Sequence, residues 1–375
     1  MRKRYGVVVA ILAAGQMGCG TADEGASSLQ QPLGPASQFF SNDGRRFVLV
    51  ESAAERVLLG SEDDKASRSL ARVFDMPVEA LSVDELAEAL RPVTLVDGHE
   101  YRLEFPDYEA ATLALSKRGF SGSSYNPAGE PVVPHGKSFC CGSDGRLVVR
   151  NNTTWPFTTI IAMAIPDSGT YSWTGGVHSE CTMQLIGPST ATSVAHCFHD
   201  SVNWRELAMW GAAPDAQDAS MFPPGFPGAY GCYVAYIPAA WVGSGGNFQY
   251  DHAVIDFRNQ CQPAPGNIAG WLGWGAFTDA EIQSASGWGY GVPALSPYPQ
   301  IRGMGTSAAT ISATGYVIDH SADCSDGDSG RGFWQYIAND YRSTGNHARA
   351  PVGGKCRERR LTTDVAAFIA ANSEF

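Results

Sequence analysis

The placement of cysteine constrains this 375-residue chain more than any other feature. Cys19 stands alone near the start, and the other eight of the nine fall after residue 139, beginning with Cys140 and Cys141. An even set confined to one region reads as a disulfide framework assembled in an oxidising compartment. The start of the chain agrees. Arg2-Lys3-Arg4 forms a positive leader before the short apolar run Val7 to Ala14, which is too short to span a bilayer and has the form of a secretory signal. Residues 1–19 are therefore assigned to a signal peptide, and the mature protein is expected to be secreted or held at a bacterial cell surface or in the periplasm.

Gly18-Cys19-Gly20 resembles the cleavage box of bacterial lipoproteins, with Cys19 as the lipid-bearing residue. Gln16 stands where that box has an aliphatic residue, so a plain signal cut near Cys19 fits as well. Lipid on Cys19 is the only membrane anchorage expected, because no later segment is apolar enough to span a bilayer. Residues 20–138 are read as a linker and a small α+β propeptide. They contain strand-like runs, Phe47 to Val50 and Arg56 to Leu59, and the capping-box pattern Ser82-Val83-Asp84-Glu85 at the start of a helix. Gly119 to Lys137 is rich in Ser, Gly and Pro and makes the boundary. From residue 139 the texture is all-β, with short runs such as Thr159 to Ile165, Cys232 to Ile237 and Ala253 to Phe257, and one terminal helix from Thr362 to Asn372. The 26 basic and 38 acidic residues give a net charge of −12, which argues against nucleic acid as a partner.

Three motifs carry chemistry: Thr192-Ser193-Val194-Ala195-His196-Cys197, Tyr250-Asp251-His252-Ala253, and Gly327-Asp328-Ser329-Gly330. A serine hydroxyl needs an adjacent base to act as a nucleophile at neutral pH. A neutral histidine takes its proton and returns it to the leaving group, and a buried aspartate orients that histidine. The candidate set is His196, Asp251 and Ser329. Glycine beside Ser329 permits a sharp turn, so that the N–H groups of Gly327 and Ser329 face one point as an oxyanion hole, worth about 3–4 kcal/mol per donor. His199 and His252 are read as bystanders, and Asp256 as the competitor to Asp251.

These motifs, in the order His, Asp, Ser, resemble the chymotrypsin/trypsin-like serine endopeptidases. Within that group the chain is most similar to bacterial glutamyl endopeptidases, through Asp144-Gly145-Arg146, Val149 to Phe157, Asp323 to Gly330 and Arg360 to Val365. The resemblance covers roughly 140–375. It implies two six-stranded β-barrels of the chymotrypsin type with a C-terminal helix over 139–375, peptide or protein substrates, a monomer whose other partner is its own propeptide, and no metal or cofactor. It also implies a Cys181–Cys197 bridge, sixteen residues apart, beside the catalytic histidine, and a Cys324–Cys356 bridge between the walls of the specificity pocket. Cys232–Cys261 follows by exclusion and leaves Cys140 and Cys141 with each other. Arg331 departs from the pattern, since the group has Ser or Gly there, and Cys324 stands where it has Thr. Asp328 matches the trypsin residue that receives a new N-terminal amine on activation, yet no Ile-Val-Gly-Gly start exists here.

The resemblance places His347, in Thr344-Gly345-Asn346-His347, where glutamyl endopeptidases bind the substrate carboxylate. Six basic residues lie between Arg342 and Arg360, and Arg342, Arg349, Lys355 and Arg357 are expected to make that field positive. The run Arg357-Glu358-Arg359-Arg360 reads equally as a solvated face. Asp323 has the spacing from Ser329 of the aspartate that gives trypsin its Arg/Lys preference, so both specificities stay open, with Glu/Asp favoured. The same motifs are also compatible with a catalytically silent binding protein on this fold, and with an esterase using the same triad.

Overall fold

The computed structural model describes residues 36–373 apart from 42, 51–77, 97, 117–120, 128–146, 150–151, 165–178, 201–202, 206–208, 213–227, 231–232, 258–262, 293–300, 304–306, 325–326 and 353–354. The signal peptide, Cys19, Arg56 to Leu59, and Cys140, Cys141, Cys232 and Cys261 with their proposed pairings lie outside the described residues.

Local signals form the elements they predict. Ser82 caps the helix Val83–Ala89 by accepting from the Glu85 N–H, while the Glu85 side chain accepts from the Ser82 N–H. The terminal helix runs Thr363–Ala371 and buries Val365, Phe368 and Ile369. Strands Ile160–Ala164, Val234–Pro238 and Ala253–Asp256 fall within a residue or two of their predicted positions.

Two sheets carry the fold. The first contains, in the cysteine-bearing body, Val234–Pro238, Ala253–Asp256, Thr190–Ser193, Ser179–Leu185, Ile160–Ala164, Met209–Ala212 and Gly228–Tyr230, each paired with the next. The second contains a closed ring of six: Ser286–Gly291, Ser307–Ile311, Val317–His320, Lys355–Arg360, Asp340–Val352 and Gly332–Ile337, which pairs back to Ser286–Gly291. Of the two barrels expected, one closed ring is therefore present. The first sheet has no closing pair among the described residues. The outer edge of Val234–Pro238 is occupied by a strand from the N-terminal segment, Pro92–Val96, in the register Ile237↔Val93. Beyond it the sheet continues through His99–Leu103, Arg46–Leu49 and Gln38–Phe40.

The two sheets meet where the site lies. The Asn346 amide, on the second sheet, donates to the Gly330 carbonyl at 2.9 Å and to Thr192 Oγ1, on the first, at 3.3 Å. The Thr182 N–H of the first sheet donates to the Ser329 carbonyl at 2.7 Å. One apolar core, with Ile161, Met183, Val254 and Ile255 at its centre, runs on without a break into Phe47, Leu86 and Val93 of the N-terminal segment.

Candidate active site

His196 lies in the short helical turn Ala195–Cys197 that follows the strand Thr190–Ser193. The disulfide Cys181–Cys197 ties this turn to the neighbouring strand Ser179–Leu185. Asp251 lies between the turn Phe248–Tyr250 and the strand Ala253–Asp256, which pairs with Thr190–Ser193. That pairing brings the two residues together. Asp251 is 2% exposed; its Oδ2 is 2.9 Å from His196 Nδ1, and its Oδ1 accepts the His196 backbone N–H at 3.0 Å. Two bonds from one buried carboxylate fix both the backbone and the ring of the histidine. Nδ1 then carries the proton and Nε2 is left as the base. Asp256 is buried at the far end of the same strand, paired in register with Thr190, and is not against His196.

Ser329 sits in a turn between Gly327 (φ 87°) and Gly330 (φ 85°), conformations that residues with a Cβ rarely adopt. A Cβ on Gly330 would also collide with Ser193 Oγ and the Thr182 carbonyl. The turn is held against the first sheet by the Thr182–Ser329 bond and by contact of Cys197 Sγ with the Ser329 carbonyl at 3.9 Å. Thr182 Oγ1 donates to the Gly327 carbonyl at 3.0 Å. Among the described residues no hydrogen bond takes the N–H of Gly327 or Ser329. His196 and Asp251 are thus joined directly, while the Ser329 turn is held by its backbone against Thr182 and Cys197, the residue after His196.

His347 lies on the strand beside this turn. Its carbonyl accepts the Gly330 N–H at 2.7 Å and its N–H donates to the Arg331 carbonyl at 2.9 Å. Behind it is a buried ionic cluster that the sequence did not announce. Glu358 Oε1 is 2.6 Å from His320 Nε2, 3.1 Å from Arg331 Nη2 and 3.3 Å from His347 Nδ1. Arg331 Nη1 reaches Asp328 Oδ2 at 2.9 Å and the Asp323 carbonyl at 3.3 Å. Burial pushes the Glu358 carboxyl up, but His347, Arg331 and His320 outweigh it and hold the group well below the usual carboxylate range. Burial pulls His320 below its ordinary value although Glu358 opposes this.

Two expectations change here. The run Arg357 to Arg360 is not a solvated face: Glu358 and Arg359 are fully buried in a strand paired on both edges, with Val317–His320 and with Asp340–Val352, and Arg359 bonds Asp364 of the terminal helix at 3.2 Å. Arg342 pairs with Asp340 at 3.3 Å and Arg357 with Asp319 at 3.2 Å, so the positive field expected of both is offset by a carboxylate. Among the described residues, a cation beside the Ser329 turn is Arg331, visible in the sequence only as a departure from a pattern. Asp323 is buried, and Cys324 is bonded to Cys356 beside it. His199 and His252 are buried away from the His196–Asp251 pair, against Trp204 and Phe368 respectively.

Cys181, His196 and Cys197 bring their ligand atoms within 4.8 Å of one another, but the two sulfurs are joined as a disulfide and offer no thiolates for a metal. A cavity of about 650 Å³ lies between the helix Tyr108–Leu115 and the turn Thr314–Tyr316, and none of His196, Asp251, Ser329 or His347 lines it.

No family model matches the chain. It is similar to the glutamyl endopeptidase of Bacillus licheniformis, with 24% identity over an alignment of 248 residues that covers 62% of this chain and 68% of that one. Among solved structures it is similar to a Glu endopeptidase in complex with MPD, with a TM-score of 0.49 and 19% identity over 62% of this chain and 98% of the other. Protease Anisep from Arthrobacter nicotinovorans aligns with a TM-score of 0.42 and 15% identity, over 56% and 95%. In sequence the chain is thus similar to a serine endopeptidase, and that similarity stands beside the geometry of His196, Asp251 and Ser329.

Proposed function

We propose that the protein is a secreted serine endopeptidase that cleaves after Glu, and less readily after Asp, through His196, Asp251 and Ser329. The observation that carries the reading is the double hold of buried Asp251 on His196, next to a glycine-flanked serine turn stitched to the same sheet. His196 Nε2 takes the Ser329 proton as Oγ adds to the scissile carbonyl carbon. The resulting oxyanion is received by the N–H groups of Gly327 and Ser329. Collapse of the adduct expels the amine, which leaves with the proton from His196, and the acyl group stays on Ser329. Water, deprotonated by the same histidine, then releases the acid and restores the hydroxyl.

Specificity for an acidic residue is supported by the place of His347, hydrogen-bonded through its backbone to the two residues after Ser329. Glu358 Oε1, 3.3 Å from its Nδ1, fixes the imidazole against the buried cluster and so holds the ring in one orientation for a substrate side chain. The disulfides Cys181–Cys197 and Cys324–Cys356 support an oxidising compartment, and no helix among the described residues is long and apolar enough to cross a membrane. Residues 1–19 act as the signal peptide, and 20–138 as linker and propeptide to a protease domain over 139–375.

A fluorophosphonate probe followed by hydrolysis of paired peptides tests this. Labelling of Ser329 and faster cleavage after Glu than after Arg are expected. No labelling returns the chain to a silent binding protein, and faster cleavage after Arg transfers the role of reader to Asp323.

A further inference from the structure

We infer that residues 36–125 are a permanent structural subunit of the protease, a clamp across both sheets that remains bound after the chain is cut behind it and does not inhibit. The first hold is on the first sheet. Pro92–Val96 covers the edge of Val234–Pro238, and the Ala239 N–H donates to the Arg91 carbonyl at 2.9 Å. An exposed edge strand there would be a site for aggregation, so the cover has a reason to stay. Beneath it Phe47 lies against Tyr236, with ring centroids 5.7 Å apart, and both side chains are buried. The helix Val83–Ala89 packs on Ala239–Gly243, and Tyr108–Leu115 packs along the terminal helix Thr363–Ala371. Polar contacts close the rim: Arg45 Nη1 donates to Asn372 Oδ1 at 3.0 Å and Trp204 Nε1 to Glu100 Oε2 at 2.9 Å.

The second hold is on the other sheet. Ser121–Gly122 pairs with Gly273–Gly275, and Tyr125 exchanges two backbone bonds with Trp271, at 2.9 and 3.0 Å. Arg342 Nη1 donates to the Gly122 carbonyl at 2.7 Å, and Asp340 accepts from the Ser124 N–H at 3.0 Å. Arg342 and Asp340 belong to the closed ring, so they are paired with each other and with the segment at once. The body's own sequence is fitted to this visitor. A Cβ on Gly273 would lie 2.8 Å from the Gly122 carbonyl oxygen, and a Cβ on Gly122 would collide with the Trp274 indole. Backbones approach this closely only where both sides keep glycine.

A propeptide that inhibits by occlusion must cover the site. Among the described residues, the strand pairs, hydrogen bonds and ring contacts of residues 36–125 with the body involve neither His196, Asp251 nor Ser329. A segment fixed to the first sheet at one end and to the second at the other instead holds the two sheets in register, and the site lies on their seam. An interface that merges with the apolar core has the character of an obligate one.

The test starts from the full chain with a sequence-specific protease site inserted between Val133 and Pro134. In the Ser329→Ala background, the cut protein is run on native size-exclusion with light scattering and then unfolded thermally. Both fragments are expected to elute as one particle with a single transition. Adding Gly122→Leu to the cut protein is expected to let the fragments separate and to lower the Tm of the remaining body by about 10 °C or more. In the active background, kcat/KM on a small peptide is expected to change less than about twofold on cutting. A body that elutes alone with an unchanged Tm overturns the proposal. So does an activity that rises tenfold or more on cutting and falls again when the segment is added back. The mass and Tm readouts do not depend on which peptide bond is cleaved, so they stand apart from the specificity proposed above.

Discussion

Arg331→Met isolates what the buried cluster contributes. Arg331 is 1% exposed, and its guanidinium reaches two fully buried carboxylates, Asp328 at 2.9 Å and Glu358 at 3.1 Å. Removing one partner of a buried ion pair costs about 3–5 kcal/mol, because a desolvated charge is left behind. His320 and His347 still face Glu358, so the cost falls mainly on Asp328. Deprived of the guanidinium, a buried carboxylate has a folded-state pKa above its unfolded one. Its extra cost is thus largest at high pH and is relieved as the pH falls and the folded state takes up a proton, at up to about 1.4 kcal/mol per pH unit. Urea unfolding of the Ser329→Ala protein with and without Arg331→Met, at pH 8 and pH 5, measures this. A destabilisation of about 3–5 kcal/mol at pH 8 that shrinks by 1 kcal/mol or more at pH 5 is expected. Asp328→Asn added to Arg331→Met should recover much of the loss, since both members of the pair are then neutral. A cost below about 1 kcal/mol at pH 8, or one that does not change with pH, would refute the assignment of Arg331 as the cation that Asp328 requires.

Three further outcomes can be checked separately. Asp251→Asn should lower kcat by about 10⁴-fold while the disulfides and fold persist, because the histidine tautomer is no longer fixed; a loss under tenfold removes Asp251 from the triad. His347→Ala should reduce kcat/KM on Glu peptides roughly 30-fold or more and leave cleavage after Ala nearly unchanged, since losing the reader of a desolvated carboxylate costs about 2–5 kcal/mol; equal losses on both peptides would make His347 merely structural. His252 is fully buried, and burial first and Arg359 second hold its imidazole well below 6.5. The unfolded chain therefore takes up protons below about pH 6.5 that the folded one refuses, and stability should fall as the pH drops from 6.5 to 5 by up to about 2 kcal/mol from this residue. His320, lowered in the same direction by burial, adds to the slope. His252→Leu should flatten the pH dependence measured by urea titration, and parallel wild-type and variant curves would exclude His252 as a source.

Legibility in the sequence followed range. Features written in a few consecutive residues could be read directly: the capping box at Ser82, the terminal helix, and the contexts of His196 and Asp251, whose side chains lie 2.9 Å apart. The pairs Cys181–Cys197 and Cys324–Cys356 came from the resemblance and are bonded. What depended on distant partners was hidden. The composition of residues 20–138 sets them apart from the body and reads as a linker and propeptide. Their strands nevertheless extend the body's first sheet, because the pairing of Val93 with Ile237 is set by an edge that no local pattern displays. Charge was misjudged for the same reason. Arg357 to Arg360 has the composition of a wet surface, but its strand is covered on both sides, so Glu358 and Arg359 are buried and had to find partners.

The residues that best reported these hidden partners were those that fit their surroundings in sequence least well. Arg331 breaks the pattern of the family it resembles at a position next to the nucleophile turn, where a long cation has no local use. Its use is long-range: it joins Asp328, one turn back, to Glu358, on a strand 27 residues on. Gly273 lies within a strand, where glycine weakens pairing and offers nothing to pack. Its use is also long-range, since the backbone of Gly122 occupies the space a side chain would take. A charge or a glycine that costs stability locally persists when a distant group compensates for it. In this chain the compensation at Arg331 joins the nucleophile turn to the buried group behind His347, and at Gly273 it seats the N-terminal clamp. A substitution at either position should therefore act away from where it is made, on the turn that holds Ser329 in one case and on the retention of residues 36–125 in the other.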